Sequence, residues 1–532
     1  MSLLVDTNIL ARLSETGSPL HSICSEAVPR RCTEEMLCFP ASRASSQRVS
    51  ARVPRMRTKC QAILARFQIV IAHSPFVIFF VLPGCAIGPD YKRPAINSPT
   101  QFRSASETIS TNSLADLSWW KVYKDETLKE LIRSALTNNY DLRVALARVE
   151  QARAMAMQTR GQFFPQIGYQ GEAARGRNAV LGNVNPAAQG VAGNAFLGII
   201  NASWELDFWG RIRRLNESAR AQFLASEEAR RAVTLSLVGD VAQAWFELLE
   251  LDREYEIATR TTSSFAESLR IFSQRFEGGV VSKLETSRAE AALATTAATV
   301  PDLERRIVIK ENQIDILLGH NPGPIPHHST LLGQVLPPEV PVGLPSELLE
   351  RRPDIRRAEQ LVRSANARVG AAMGDFLPRI GLTALYGGVS SDLAAITSSG
   401  AGAWSVAANV TGPIFQGGRL YGQYLQAKAE LQEAKLQYQQ TALGAFHDVA
   451  NALVAGQKLE AVRVQQSRAV TAYQQAVSVS TQRYVAGKAS YFEVLEAQQQ
   501  LFPAENSLAQ TQFNQLLAIV QLYKALGGGW TE

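Results

Sequence analysis

Cysteine stops early in this chain. The five cysteines are Cys24, Cys32, Cys38, Cys60 and Cys85, and the long body after Cys85 has none. That body has no disulfide to brace it, and its lack of thiols suits an oxidising compartment where stray cysteines would mispair. An excess of one charge is missing as well. The net charge is +6, but residues 1–84 hold ten Lys and Arg against five Asp and Glu, so the remainder comes close to balance. No nucleic-acid partner is expected from such a surface. Histidine is scarce, six in all. Neither His447 nor the pair His327-His328 has metal-site or catalytic-triad spacing. No glycine loop followed by a phosphate-binding lysine is present. Catalysis, a metal and a cofactor are therefore not expected. A mean hydropathy of −0.07 excludes a polytopic helical membrane protein. Any membrane part must be small or built from alternating strands.

The first signal present is a leader. Arg52, Arg55, Arg57, Lys59 and Arg66 precede the apolar run Phe67 to Leu82, which ends Leu82-Pro83-Gly84-Cys85. Basic residues, a short apolar stretch and a small residue before a cut describe a signal peptide over 56–84, and a cysteine just after the cut resembles a bacterial lipobox. Cys85 would then carry diacylglycerol and an N-acyl chain, and several acyl chains give stable anchoring where one does not. Ala86 stands where an Asp usually signals inner-membrane retention, so outer-membrane sorting is expected. Residues 1–55 fit nothing downstream. Met1 to Leu10 looks like the first strand of a PIN-type nuclease, but the stretch lacks the carboxylates that such an enzyme needs. A start placed too far upstream, with Met56 the true beginning, is the simpler reading.

The body is one unit used twice. Asp141-Leu142-Arg143 recurs as Asp354-Ile355-Arg356, and Phe164-Pro165-Gln166-Ile167-Gly168 as Leu377-Pro378-Arg379-Ile380-Gly381, both 213 residues later. After a shorter second loop the offset is 208: Asp240-Val241-Ala242 matches Asp448-Val449-Ala450, Arg275-Phe276 and Gly279 match Arg483-Tyr484 and Gly487, and Ser282, Leu284 and Glu285 match Ser490, Phe492 and Glu493. The units span 128–318 and 346–526. They are preceded by a segment at 85–127, joined by a proline-rich linker at 319–345 and followed by a short tail at 527–532.

Each unit reads as helix, strand, loop, strand, long helix, turn, helix. The first helix is expected over about Leu128 to Gln162. From Ile200 to Phe208 the even positions are apolar and the odd ones polar, and Trp404 to Ile414 alternates likewise. Such strands have one oily and one wet face. Two hairpins follow, at 163–209 and 376–415, with joining loops near 178–194 and 387–402. Trp204, Phe208, Trp209, Trp404 and Phe415 sit towards strand ends, as in interfacial girdles. The runs Arg213 to Phe276 and Leu420 to Val485 are free of proline; about sixty helical residues reach ~90 Å. Leu436, Leu443 and Ala450, and Phe446 and Leu453, recur at seven and predict a side-by-side packing seam. Both runs end in glycine turns, with Gly278, Gly279, Val280 and Ser282 in the first and Gly487 and Ser490 in the second. Pro301 and Pro503 predict kinks or ends in the returning helices. Four strands cannot close a barrel, and open edges in lipid cost several kcal/mol for each unpaired backbone group, so several chains must contribute.

Cys85-Ala86-Ile87-Gly88-Pro89-Asp90-Tyr91-Lys92-Arg93-Pro94, Trp119-Trp120, Trp204-Glu205-Leu206-Asp207-Phe208-Trp209-Gly210 and Arg351-Arg352-Pro353-Asp354-Ile355 together resemble the TolC/OprM type of outer-membrane efflux lipoprotein, also called the NodT family. The resemblance implies a mixed membrane fold. In it a homotrimer forms a twelve-stranded transmembrane β-barrel, four strands per chain, continuous with a long periplasmic α-helical barrel and a mixed equatorial domain. It implies a passive duct exporting small molecules such as drugs, dyes and toxic compounds from the periplasm. The tips would dock a periplasmic membrane-fusion adaptor, itself joined to an inner-membrane pump, of which the RND type is the first choice among proton-driven, major-facilitator and metal pumps. It also implies a closed end at the helical turns. Glu496 falls where relatives carry Asp, and Gln499 where some carry Arg. An acidic ring of Glu496, offset by Lys488, is expected at the mouth, against the plainer alternative of a solvated surface glutamate. The alternative for the whole chain is a structural coiled-coil lipoprotein of the outer membrane without a pore.

Overall fold

The computed structural model describes residues 86–103, 114–177, 192–326, 329–334 and 345–528. Cys85, the leader, residues 1–55, His327 and His328 lie outside the described residues.

The elements are α1 (Trp119–Val122), α2 (Glu126–Asn138), α3 (Tyr140–Gly161), β1 (Gln166–Arg177), β2 (Ala192–Leu206), α4 (Arg211–Glu277), α5 (Lys283–Ala297), α6 (Thr299–Leu318), α7 (Leu348–Arg351), α8 (Pro353–Gly374), β3 (Arg379–Ser390), β4 (Gly402–Thr411), α9 (Arg419–Val485) and α10 (Tyr491–Ala525). The chain divides into two compact units. Of the described residues, one holds those within 86–90, 161–215 and 367–425, and the other those within 91–160, 216–366 and 426–528.

The first unit is built on one antiparallel sheet in the order β1-β2-β3-β4. β2 pairs with β3, so the hairpins of the two repeats join edge to edge. β4 stops at Thr411, short of the strand expected to reach Ile414, and β3 extends to Ser390 into the expected loop. In that loop the Asp392 carboxylate caps a short turn by accepting from the Ala394 amide at 3.0 Å.

In the second unit, α4 and α9 carry the core. Leu237, Ala244, Leu251, Ala258, Phe265 and Phe272 of α4 are all buried at a spacing of seven, the repeat that keeps one stripe of a helix against its neighbours. Part of α4 is long and apolar enough to cross a membrane, but most of that stretch is buried inside the protomer. On α9 the buried stripe is Tyr438, Ala445 and Ala452 with Ala442 and Val449. Of the predicted seam, Phe446 and Leu453 pack against this core, whereas Leu436 and Leu443 are 55% and 63% exposed. They stand two positions from Tyr438 and Ala445, or about 200° round the helix, and so face away from the protomer core.

The first helix is also two rather than one. Asn139 is buried between α2 and α3. Its amide donates to the Leu317 carbonyl (2.9 Å), and its side-chain oxygen accepts from the Leu142 amide (3.0 Å), capping α3. Of the two prolines expected to kink or end a returning helix, Pro301 follows a helix end and Pro503 does not end its helix. α5 gives way to α6 at Ala298, just before Pro301, whereas Pro503 sits inside a continuous α10. The Arg352-Pro353-Asp354 motif closes the second repeat. Arg352 donates to Asp354 (2.7 Å), to Asp448 of α9 (3.1 Å) and to the Ala525 carbonyl at the end of α10 (3.1 Å).

Candidate functional site

Residues directly opposite in an antiparallel pair share a face. Tyr169 lies opposite Ile200, Ile200 opposite Tyr386 and Tyr386 opposite Trp404. Ile167, Ala202, Ala384 and Val406 form the next such row, and Ile380 faces Val410. One face is thus apolar across all four strands, and Ile167, Tyr169, Ile200, Tyr386, Trp404, Val406 and Val410 on it are exposed. The other face carries Gln166, Gln170, Asn201, Ser203, Thr383, Ser405 and Asn409, with Ile199 and Leu385 among them. Among the described residues, β1 and β4 each pair on one side only.

Aromatic side chains mark both ends of the apolar face. At one end the Trp204 indole donates to the Phe163 carbonyl (2.9 Å) and the Trp209 indole to the Pro378 carbonyl (2.7 Å). Tyr386 and Trp404 lie four residues along from the row that holds Trp204 and Leu382, and Tyr386 lies eight from Pro378, roughly 13 and 25 Å at the rise of a strand; the longer span is close to the height of the apolar band of a membrane barrel.

The Trp204–Gly210 motif turns strand into helix. Glu205 holds Arg211 through both carboxylate oxygens at 2.9 Å, and Asp207 accepts from the amides of Ile212 (2.9 Å) and Arg213 (2.8 Å), satisfying the open start of α4. Gly210 has φ +78, and a Cβ there would lie 2.6 Å from the Ala86 Cα. The residues that follow Cys85 are fastened at this turn: the Ile87 amide donates to the Trp209 carbonyl (3.0 Å), and Arg214 reaches the Ile87 carbonyl (3.2 Å) and Asp90 (2.9 Å).

The two tips are built alike. Gly279, with φ +72, donates to the Phe276 carbonyl and Val280 to the Arg275 carbonyl, both at 2.9 Å; Gly487, with φ +69, donates to the Tyr484 carbonyl (3.0 Å) and Lys488 to the Arg483 carbonyl (2.8 Å). This is the Schellman closure of a helix. The tips then diverge. Glu285 accepts from the Ser282 amide at 2.8 Å, whereas its counterpart Glu493 pairs with Arg483 at 3.2 Å. Gly278 precedes the first closure, and Ser490 occupies the N-cap position of α10 without a side-chain capping bond.

Glu496 and Gln499 are exposed on α10 three residues apart, hence on one face. Lys488 is exposed in the turn, and within the protomer the described residues form no ion pair between it and Glu496. Arg288 went unnoticed in the sequence. It lies 208 residues before Glu496, at the same place in the first repeat, and its guanidinium sits 5.7 Å from the centre of the Phe492 ring. The repeat offset would have found it. Among the described residues no His, Cys, Asp and Glu cluster could hold a metal ion.

The family model for outer membrane efflux proteins matches residues 131–320 and 344–528. The chain is 35% identical to the solvent efflux pump outer membrane protein SrpC of Pseudomonas putida, over 86% of this chain and 98% of the relative. It is 32% identical to the cation efflux system protein CusC of Escherichia coli strain K12, with the same coverage. Among solved structures, the outer-membrane channel OprN aligns with a TM-score of 0.78 at 32% identity, over 84% of this chain and all of that one. The open state of the MtrE channel of Neisseria gonorrhoeae aligns at 0.75 and 30% identity, over 84% and 99%.

Proposed function

The chain belongs to the outer membrane efflux protein family, and from that membership we propose that three copies form one barrel and one periplasmic tube, the passive exit duct of a tripartite pump. It is an outer-membrane efflux channel component, as its relatives are. The observation that carries the trimer is the sheet. Four strands expose a whole apolar face and leave two edges open, a state tolerable in lipid only when further strands close the ring. Leu436 and Leu443, turned away from the protomer core, supply a second apolar stripe for a neighbouring chain.

Three further features complete the reading. Cys85 carries the acyl chains, and the fastening of Ile87 and Asp90 beside Trp209 suits insertion next to the aromatic end of the sheet. The tips at Gly278, Gly279, Val280 and Ser282 and at Gly487 and Ser490 dock a periplasmic adaptor, which joins an inner-membrane pump of the RND type. Solvents, toluene, antibiotics and cations appear in the names of the relatives, and small toxic compounds are accordingly the proposed cargo class.

At the closed end, three Glu496 and three Arg288 side chains occupy equivalent places on the returning helices and alternate in sign round the mouth. Gln499 supplies no charge there, and Lys488 stays on the rim. The test is single-channel recording of the purified protein in planar bilayers. The duct reading predicts discrete conductance steps, and the alternating ring predicts a shift of ion preference towards anions in Glu496→Gln. A protein that leaves the bilayer silent refutes the duct, and an unchanged ion preference refutes the ring.

A further inference from the structure

The two hairpins of the sheet are one pattern used twice. Gln166 faces Ser203 in the first, and the residues 213 and 208 further on, Arg379 and Thr411, face each other in the second. β1 and β3 are equal in length, twelve residues each. Between the hairpins, along β2 and β3, Gly198 faces Gly388, Ile200 faces Tyr386 and Leu206 faces Ile380. By the same offsets β4 is the counterpart of β2, and β1 that of β3. The outer edges of the described sheet, β4 and β1, are therefore two halves of that same join, held apart in a single chain.

Carried over by the repeat, the join sets Val406 of one chain opposite the partner's Arg175, Ala408 opposite the partner's Ala173 and Ile414 opposite the partner's Ile167. The side chains suit this register. Ile414, Ile167 and Tyr169 are all exposed in the protomer. Here the two isoleucines meet, and the partner's Tyr169 covers Gly412. A slip of one residue would turn the apolar row of one chain onto the polar face of the next, and a slip of two breaks the repeat.

Arg175 is exposed towards the far end of β1, on the same face as Ile167 and Tyr169 by strand alternation. A bare charge on a lipid-facing surface is costly. Opposite Val406, Arg175 stands one diagonal step from Trp404, within reach of a long side chain, and the Trp404 ring is exposed. A guanidinium over an indole is attracted to its face, most strongly out of water. Within the chain the corresponding places hold Gly388 and Phe196, so this contact belongs to the seam between chains alone.

We propose that each seam between chains copies the join between the repeats in register, and that the guanidinium of the partner's Arg175 lies on the Trp404 ring, a cation–π lock facing lipid. The proposal rests on the reading of the sheet as part of a barrel of several copies.

Cysteine pairs test the register, since the body after Cys85 has no cysteine of its own. Opposite residues of an antiparallel pair stand about 4.5–5.5 Å apart at Cα, within reach of a disulfide. Ala173→Cys with Ala408→Cys gives covalently linked chains when the membrane-embedded protein is oxidised, because β1 and β4 of one chain lie at opposite edges of its sheet. Ala173→Cys with Val406→Cys, one diagonal step off, does not. Equal or greater linking of the second pair, or linking of neither, in a particle that native mass spectrometry shows to hold three copies overturns the register and leaves the duct standing. A folded particle of one copy overturns both.

The temperature at which the oligomer dissociates tests the lock. Arg175→Gln and Trp404→Leu each lower it by a few degrees, and the two together lower it no further than either alone. Arg175→Lys and Trp404→Phe keep most of it. Additive losses, or none, overturn the lock.

Discussion

Ile200 of β2 lies directly opposite Tyr386 of β3, and through this pair the oily face of one repeat runs into that of the other. Both side chains are exposed, 57% and 73%. A soluble sheet would bury such a row against helices. Here the long helices spend their apolar stripes on each other, Tyr438 and Trp245 among the fully buried residues, and the sheet's outer row is left for lipid.

Substitutions on the two faces of β4 should behave differently. Val406→Arg places a charge on the apolar face and costs about 2–4 kcal/mol near the bilayer midplane. Ser405→Arg, one residue away on the polar face, costs little. The yield of heat-resistant oligomer in outer membranes measures the contrast; equal losses would mean that the apolar face is not in lipid.

The two stripes of α9 separate assembly from folding. Leu443→Asn, on the exposed stripe, weakens the oligomer and spares the protomer's helicity. Ala445→Leu, at a fully buried position, overpacks the core and costs about 1–3 kcal/mol of protomer stability. Sedimentation and circular dichroism read the two effects apart.

Glu250 makes stability depend on pH. Burial first, then the charge of Glu254, pushes its carboxyl up to about 7 from a usual 4.5. Facing it are Glu247 and Glu254 of α4 and, from α6, Lys310, which is paired with Glu247 (2.8 Å), and Arg306, which is paired with Glu254 (3.2 Å). Three carboxylates thus meet two cations. The folded state holds the proton more tightly than the unfolded chain, so stability falls as pH rises from about 4.5 to 7 and is level above, by at most roughly 3 kcal/mol per chain. Thermal melts across that range should show the slope in the unaltered protein and a flatter profile in Glu250→Gln.

The tip glycines are required by conformation and not by space. Gly279 and Gly487 are left-handed, and nothing lies within 4 Å of a Cβ built on either. Gly487→Ala therefore costs about 1–2 kcal/mol through backbone strain alone, and Gly487→Asn less, because asparagine tolerates that region. Melting temperatures in the order Gly, Asn, Ala check this; equal values would remove the conformational argument.

Much of this architecture was legible in the chain because its signals are local. Strand alternation, the repeat offsets and the glycine turns each occupy a few residues, and the structure follows them. The buried stripe of α9 was not. Leu436, Leu443 and Ala450 have the spacing of a seam, but spacing does not say which partner the seam meets, and the smaller Ala442, Ala445 and Val449 fill the protomer's own core. The break at Asn139 was hidden because its cap depends on the distant Leu317 carbonyl. The buried ion pair of Glu505 has no local signal, since Arg260 and Gln474 come from two other helices.

The mass of the detergent-solubilised particle by native mass spectrometry bears most directly on the central claim that one chain's sheet cannot seal itself. The account predicts three copies of the chain in a single complex. A stable, folded particle containing one copy would contradict it.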